Sequence, residues 1–234
     1  MKLFKLTLPP LVQPNPERYR EQFAQLPLVK CNVFLPTINT NVFEISNRSC
    51  NDFLMLQDKN YFYDAFICFY IDDQFFDGQR TSIWTFPWLA IRVIKHFRGI
   101  ITPDFSTFMD FPEPISVYNT YRMRAFGCWI GREGKEVVNN VRWGLPYTYK
   151  YCFDGIPRNS VVAIGTVGGS PKKLEDRERF EEGLFEMVRT IDPHIIIVYG
   201  SANYPCFEAL REKGIRIIAY QGQTNAAYER RVMK

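Results

Sequence analysis

The stretch from Gly99 to Gly222 decides the fold. It contains GIITPD (99–104), VVNNVRWG (137–144), VVAIGTVGG (161–169), HIIIVYGS (194–201) and RIIAYQG (216–222). Each run is rich in β-branched residues and ends in glycine or polar residues before a helical segment or turn. Parallel strands read this way when both faces are buried and crossover helices join them. The clearest helical segment lies between the third and fourth runs. There Phe180, Leu184, Met187, Val188 and Ile191 form one apolar stripe, and the opposite face is charged.

Working outward, YDAFICFYIDD (63–73) adds a strand that stops at two aspartates, and CNVFLP (31–36) adds one more, about seven in all. Helices are expected over Thr85–Phe97, with Thr85 as N-cap and Pro87 in the first turn, and over Ile115–Arg132, stopped at Glu133-Gly134. Further helices are expected over PCFEALREKG (205–214) and in the tail TNAAYERRVMK (224–234), and YTYKYCFDGIP (147–157) reads as a short helical or irregular crossover. Residues 1–30 carry five prolines, which break regular elements, so they are expected to form an extended arm ahead of a single α/β domain over 31–234. The expected architecture is α/β, mainly parallel and TIM-barrel-like, incomplete or irregular. An open doubly wound sheet is the alternative.

Composition narrows the classes of function. The 234 residues are 46% hydrophobic and 16% aromatic, enough for a sizeable core. Lys plus Arg number 29 against 25 acidic residues, a net charge of +4, which argues against a duplex-DNA partner. No apolar run approaches the roughly 20 residues that span a membrane, so no membrane role is expected. The six cysteines form no CxxC pair, which fits buried thiols in a reducing cytosol, and the two histidines lack ligand-spaced partners. A cytoplasmic location follows as an expectation. With neither His96 nor His194 at a strand's carboxyl end, a nucleophilic triad is not expected.

Parallel α/β architectures place ligands at the carboxyl ends of their strands. Here those ends carry Asp72 and Asp73, Asp104, then Asn139, Asn140, Arg142 and Trp143, then Gly165, Thr166, Gly168 and Gly169, then Tyr199, Gly200 and Ser201, and last Gln221. Such a set suits a phosphorylated or highly polar ligand, and it also suits the ordinary polar rim of a parallel sheet. GTVGGS (165–170) reads as a phosphate cradle or a tight turn, since its spacing is neither GxGxxG nor GxxxxGK[ST]. Asp73 and Asp104 are the candidate catalytic pair and the candidate ligands for Mg or Mn, if adjacent strands bring them together. Asn140, Arg142, Trp143, Gly165, Thr166, Gly168, Tyr199 and Gly200 are the candidate binding residues, with Trp143 or Tyr199 placed to stack on a ring. Arg122 and Arg124 lie two apart on a helix, so at most one is expected to reach a site. YIDD (70–73) matches a reverse-transcriptase tetrapeptide, but the surrounding pattern is not a palm domain, and the match is read as chance.

FYIDDQFFD (69–77), GIITPDFS (99–106), NTYRMRAFGCWIG (119–131), VVNNVRWG, YCFDGIPRNSVVAIGTVG (151–168), FEEGLFEM (180–187) and HIIIVYG carry a resemblance over roughly 64–200. They resemble a bacterial and phage domain family of unknown function, common in phage genomes and other mobile elements. The resemblance implies that setting and imports no chemistry. The residues then point first to a phage or mobile-element protein that acts on, or binds, a nucleotide-like or phosphorylated ligand. A non-catalytic protein that meets a host protein or sequesters a ligand is the second reading. A single-stranded nucleic-acid binder is the third.

Overall fold

The computed structural model describes residues 63–78, 82–109, 111–166 and 174–220. Within them lie β1 (Tyr63–Ile67), α1 (Pro87–Ile94), β2 (Phe97–Ile101), α2 (Glu113–Arg132), β3 (Glu136–Asn140), α3 (Tyr149–Cys152), β4 (Val161–Gly165), α4 (Leu174–Ile191), β5 (Ile195–Tyr199), α5 (Pro205–Glu212) and β6 (Arg216–Tyr220). The strands form one sheet in the order β1-β2-β3-β4-β5-β6, every neighbouring pair parallel. An order without reversal has no switch point, so the doubly wound alternative is excluded. Right-handed crossovers that always step the same way keep their helices on one face. The sheet curls around the other face as a half-barrel.

Register shows this division. Asn139 pairs with Val162, Val162 with Ile196, and Ile196 with Ile217, so these side chains share the outer face with Val137. Val162, Ile164, Ile196 and Val198 pack there against Phe180, Leu184 and Met187 of α4 and Phe207 and Leu210 of α5. Of the stripe read from the sequence of α4, Phe180, Leu184, Met187 and Ile191 are buried, together with Gly183, and Val188 is partly buried against them. Helix α2 covers Val137 further along the same face. Val161, Ala163, Ile195, Ile197 and Tyr220 belong to a second core with Phe66, Phe97 and Phe105. Near-continuous burial of β4 and β5 explains why these strands read as unbroken apolar runs.

Two helices differ from their expected bounds. Helix α1 runs only Pro87–Ile94, because Phe97 and Arg98 already belong to β2. Its N-cap is Phe86, which makes no side-chain cap bond, while the Thr85 N–H donates to Ser82 Oγ at 2.9 Å. Helix α2 begins two residues early, at Glu113, with proline in its first turn. It stops as expected: Gly134 adopts φ +80°, its N–H donates to Gly131 O, and Lys135 N–H donates to Ile130 O. That 6→1 and 5→2 pairing closes the helix and requires a left-handed residue. The crossover after β3 is a 3-10 turn (Pro146–Thr148) leading into the single turn of α3. The arm at 1–30, the strand CNVFLP and the tail helix lie outside the described residues, so they and the proposed boundary at 30/31 find no counterpart here.

Candidate functional site

The polar residues that close β2 and β3 assemble into one connected network. Tyr70 OH donates to Asn140 Oδ1 at 2.9 Å, and Asn140 Nδ2 donates to Asp104 Oδ1 at 2.8 Å. Arg142 Nη1 donates to the other oxygen, Asp104 Oδ2, at 2.6 Å as a salt bridge. Asn140 is itself held by its backbone N–H, which donates to Thr102 Oγ1 at 2.8 Å. Asp104 and Arg142 stand 38 positions apart in the chain, and only the parallel pairing of β2 with β3 brings them together. The Tyr70 phenol is pushed well up, first by burial and then by the nearby Asp104 carboxylate, so it stays a protonated donor.

This network floors a cleft of about 320 Å³ at the carboxyl ends of the strands. Asp104, Asn140, Arg142, Trp143 and Gly165 line it, together with Thr107, Phe108 and Met109 from the loop after β2 and Asp176, Arg179 and Phe180 from α4. Arg142 retains guanidinium N–H groups beyond the one given to Asp104, and its side chain is a quarter exposed. Among the described residues the buried Thr107 Oγ1 has no hydrogen-bond partner. The cleft is therefore amphoteric: guanidinium donors face it beside carboxylate acceptors.

Trp143 forms a wall. A Cβ on Gly183 would lie 2.1 Å from its indole, so α4 presents a bare backbone for the ring to rest on. Phe180 and Phe153 flank it at centroid distances of 5.4 and 6.4 Å. Tyr199 is stacked on Tyr70 at 4.7 Å and an interplanar angle of 12°, and the Tyr70 ring lies over Gly165. Both rings named as stacking candidates thus have a face committed to the protein. Thr166 is buried, donating its N–H to Tyr199 O and its hydroxyl to Ser201 O. Gly200 is also buried, and its N–H donates to Tyr220 O at 2.7 Å. These two residues stitch strand ends together away from the cleft. Gly168 and most of GTVGGS lie outside the described residues.

Asp73 sits in a second network beside the first. Ser106 donates both its N–H and its hydroxyl to the Asp73 carboxylate, at 3.1 and 2.9 Å. Burial raises the Asp73 carboxyl above its usual range, the two Ser106 bonds oppose that rise, and Asp104 adds a smaller upward push. The two candidate carboxylates are thus electrostatic neighbours, yet each is occupied by donors: Ser106 on Asp73, Asn140 and Arg142 on Asp104. A cation at Asp104 would have to displace or repel a guanidinium. Among the described residues no group of three or more His, Cys, Asp or Glu is placed to hold a metal ion.

Of the two helix arginines weighed in the sequence, neither reaches the cleft, and both tie loops together instead. Arg122 pairs with Asp77, donates to Asn119 Oδ1 at 2.7 Å and lies 3.9 Å over the Phe105 ring. It anchors the loop after β1, which Ser82 also grips by donating to Asp77 Oδ1. Arg124 donates to the backbone carbonyls of Asn140, Cys152 and Asp154, tying the end of β3 to α3. Neither arginine lines the cleft. Arg179, from α4, does.

The fold and site define an α/β half-barrel with a polar cleft at the carboxyl end of its sheet. The chain belongs to the family described as "Domain of unknown function (DUF4417)", which matches residues 32–221. It is similar to the "Gene 1 protein" of Mycobacterium phage L5, 34% identical over 136 residues, which is 58% of this chain and 57% of that protein. It is likewise similar to the "Gene 1 protein" of Mycobacterium phage D29, 33% identical over 136 residues, 58% of this chain and 48% of that protein. The matched segment thus spans about half the length of these relatives, which tie the chain to phage proteins. No solved structure matches it. No described helix is long and apolar enough to cross a membrane.

Proposed function

We propose that this is a phage-associated protein whose carboxyl-end cleft binds, or acts on, a phosphorylated or nucleotide-like ligand. The observation that carries the reading is Arg142, held by Asp104 in the lining of a 320 Å³ cleft with donor groups to spare. A volume of that order matches small-ligand clefts, and an oriented guanidinium matches phosphoryl oxygens. The buried Thr107 hydroxyl offers a further polar contact. In this reading Asp104, held by Asn140, positions Arg142, while Asp73, held by Ser106, lies beside the cleft and not in its lining.

The test is a thermal-shift screen of the full chain against mono-, di- and cyclic nucleotides and sugar phosphates, with and without magnesium or manganese. A ligand that stabilises the protein, and loses that effect in Arg142→Ala while the fold is retained, supports the reading. A flat screen rejects it. A host-protein partner is the second reading, favoured by the exposed apolar side chains of Trp88, Ile115 and Tyr118. A stable complex that survives Arg142→Ala but not Tyr118→Ala would favour that alternative.

A further inference from the structure

A cleft that takes a nucleotide needs a flat apolar surface for the base as well as donors for the phosphate. The two rings that the strand ends suggest are poorly placed for it. Trp143 rests on Gly183 and Phe180, and Tyr199 is stacked by Tyr70. Phe108 is different. It lines the cleft from the loop after β2, yet 54% of it is exposed, and its contact with Phe111 is edge-to-face at 5.1 Å and 84°. An exposed phenyl ring over a polar cleft is costly to leave in water and available to a planar partner. Its neighbour Thr107, in the same lining, holds a buried hydroxyl with no hydrogen-bond partner among the described residues, suited to a hydrogen bond with a base edge. Across the cleft, Arg179 contacts Met109 Sδ at 3.9 Å, so this loop and α4 approach each other over the site.

The charge pattern argues in the same direction. Arg142 is paired with Asp104 and Arg179 with Asp176, so each guanidinium in the lining keeps N–H donors and each carboxylate keeps lone pairs beyond its ion pair. A bare phosphate uses only the first kind. A nucleoside phosphate uses both, since its ribose hydroxyls and base amino groups donate to carboxylates while its phosphoryl oxygens accept from guanidinium.

We infer that the ligand of this cleft is a nucleoside phosphate, with its base stacked on Phe108 and its phosphate at Arg142. The inference rests on the cleft being the ligand site, and the experiment separates the two. Isothermal titration of the full chain compares the four ribonucleoside monophosphates with base-free ribose 5-phosphate. Stacking on an aromatic side chain makes at least one nucleotide bind roughly tenfold tighter than ribose 5-phosphate. Phe108→Ala removes that advantage and leaves ribose 5-phosphate binding unchanged, Phe108→Trp restores it, and Arg142→Ala weakens both ligands alike. Base stacking also quenches the fluorescence of the indole in Phe108→Trp. If ribose 5-phosphate binds as tightly as every nucleotide, or Phe108→Ala weakens both equally, the stacking inference fails and the phosphate site stands. If neither ligand class binds, the site reading fails and takes this inference with it.

Discussion

Asp104, itself held by Asn140, orients Arg142, and the worth of that guanidinium in the proposed reading can be measured. Replacing Arg142 with alanine removes a charge-assisted contact of about 1.5–3 kcal/mol and should weaken a phosphorylated ligand by roughly ten- to a hundredfold in calorimetry. Asp73 makes a pH prediction with a definite sign. Its folded carboxyl is raised above the unfolded value, so its favourable share of stability is complete below the unfolded value and is lost as pH rises through the folded one. Asp73→Asn lacks that titration. Urea melts at pH 3 and pH 7 should therefore show the variant gaining on the native protein at the higher pH, and a constant difference would sink the idea. Arg124 has a purely structural task. Burial pushes its guanidinium down to about 10, yet it remains charged at neutral pH and serves three carbonyls. Arg124→Met leaves those acceptors without their donor, and equilibrium unfolding should report a loss of about 3 kcal/mol.

At the scale of the element, α4 is both a core helix and a wall of the site. Its stripe of Phe180, Leu184, Met187 and Ile191 packs on β4 and β5, and Gly183 within the same stripe receives Trp143. On an isolated helix, Gly→Ala is stabilising by about 1 kcal/mol. Here the new Cβ would sit 2.1 Å from the indole of Trp143, deep inside van der Waals contact. The steric term wins: Gly183→Ala should destabilise by about 1–3 kcal/mol and displace Trp143, seen as a shift in tryptophan fluorescence and weaker ligand binding. The thiols of this half of the protein behave as core atoms. Burial raises Cys152 to about 12 and Cys206 to about 11, so both should resist alkylation in the folded protein and react only on unfolding.

At the scale of the molecule, a sequential parallel sheet gathers one polar rim from loops that are distant in the chain. The loops after β1, β2 and β3 are cross-tied by Asp73–Ser106, Tyr70–Asn140 and Arg142–Asp104, so a ligand that engages one engages the set. A saturating ligand, at 100 times its dissociation constant, should add about 2.7 kcal/mol and raise the melting temperature by roughly 5–10 °C. Loss of the Tyr70–Asn140 link in Tyr70→Phe should reduce that gain while far-UV circular dichroism stays the same. The same change in the melting temperature of both proteins would argue against the network as a unit.

Local information carried most of the architecture. Runs such as HIIIVYG and VVAIGTVG encode strands buried on both faces, the 180–191 stripe encodes its helix, and Gly134 encodes a stop, because each depends on residues a few positions apart. The carboxyl-end rule then drew Asp104, Asn140 and Arg142 out of the sequence as candidates. The pairings did not follow from it. Asp104 meets Arg142, Tyr70 meets Tyr199, and Trp143 meets Gly183 only once β1 to β5 lie side by side, since every one of these contacts joins residues at least 38 apart. The sheet order was equally beyond periodicity, because a parallel strand reads the same beside any neighbour. What the sequence determined by itself was which segments are buried and which ends are polar. The tertiary structure alone decided which polar ends share a cleft, which rings are already covered, and that Phe108 is left open to solvent above it.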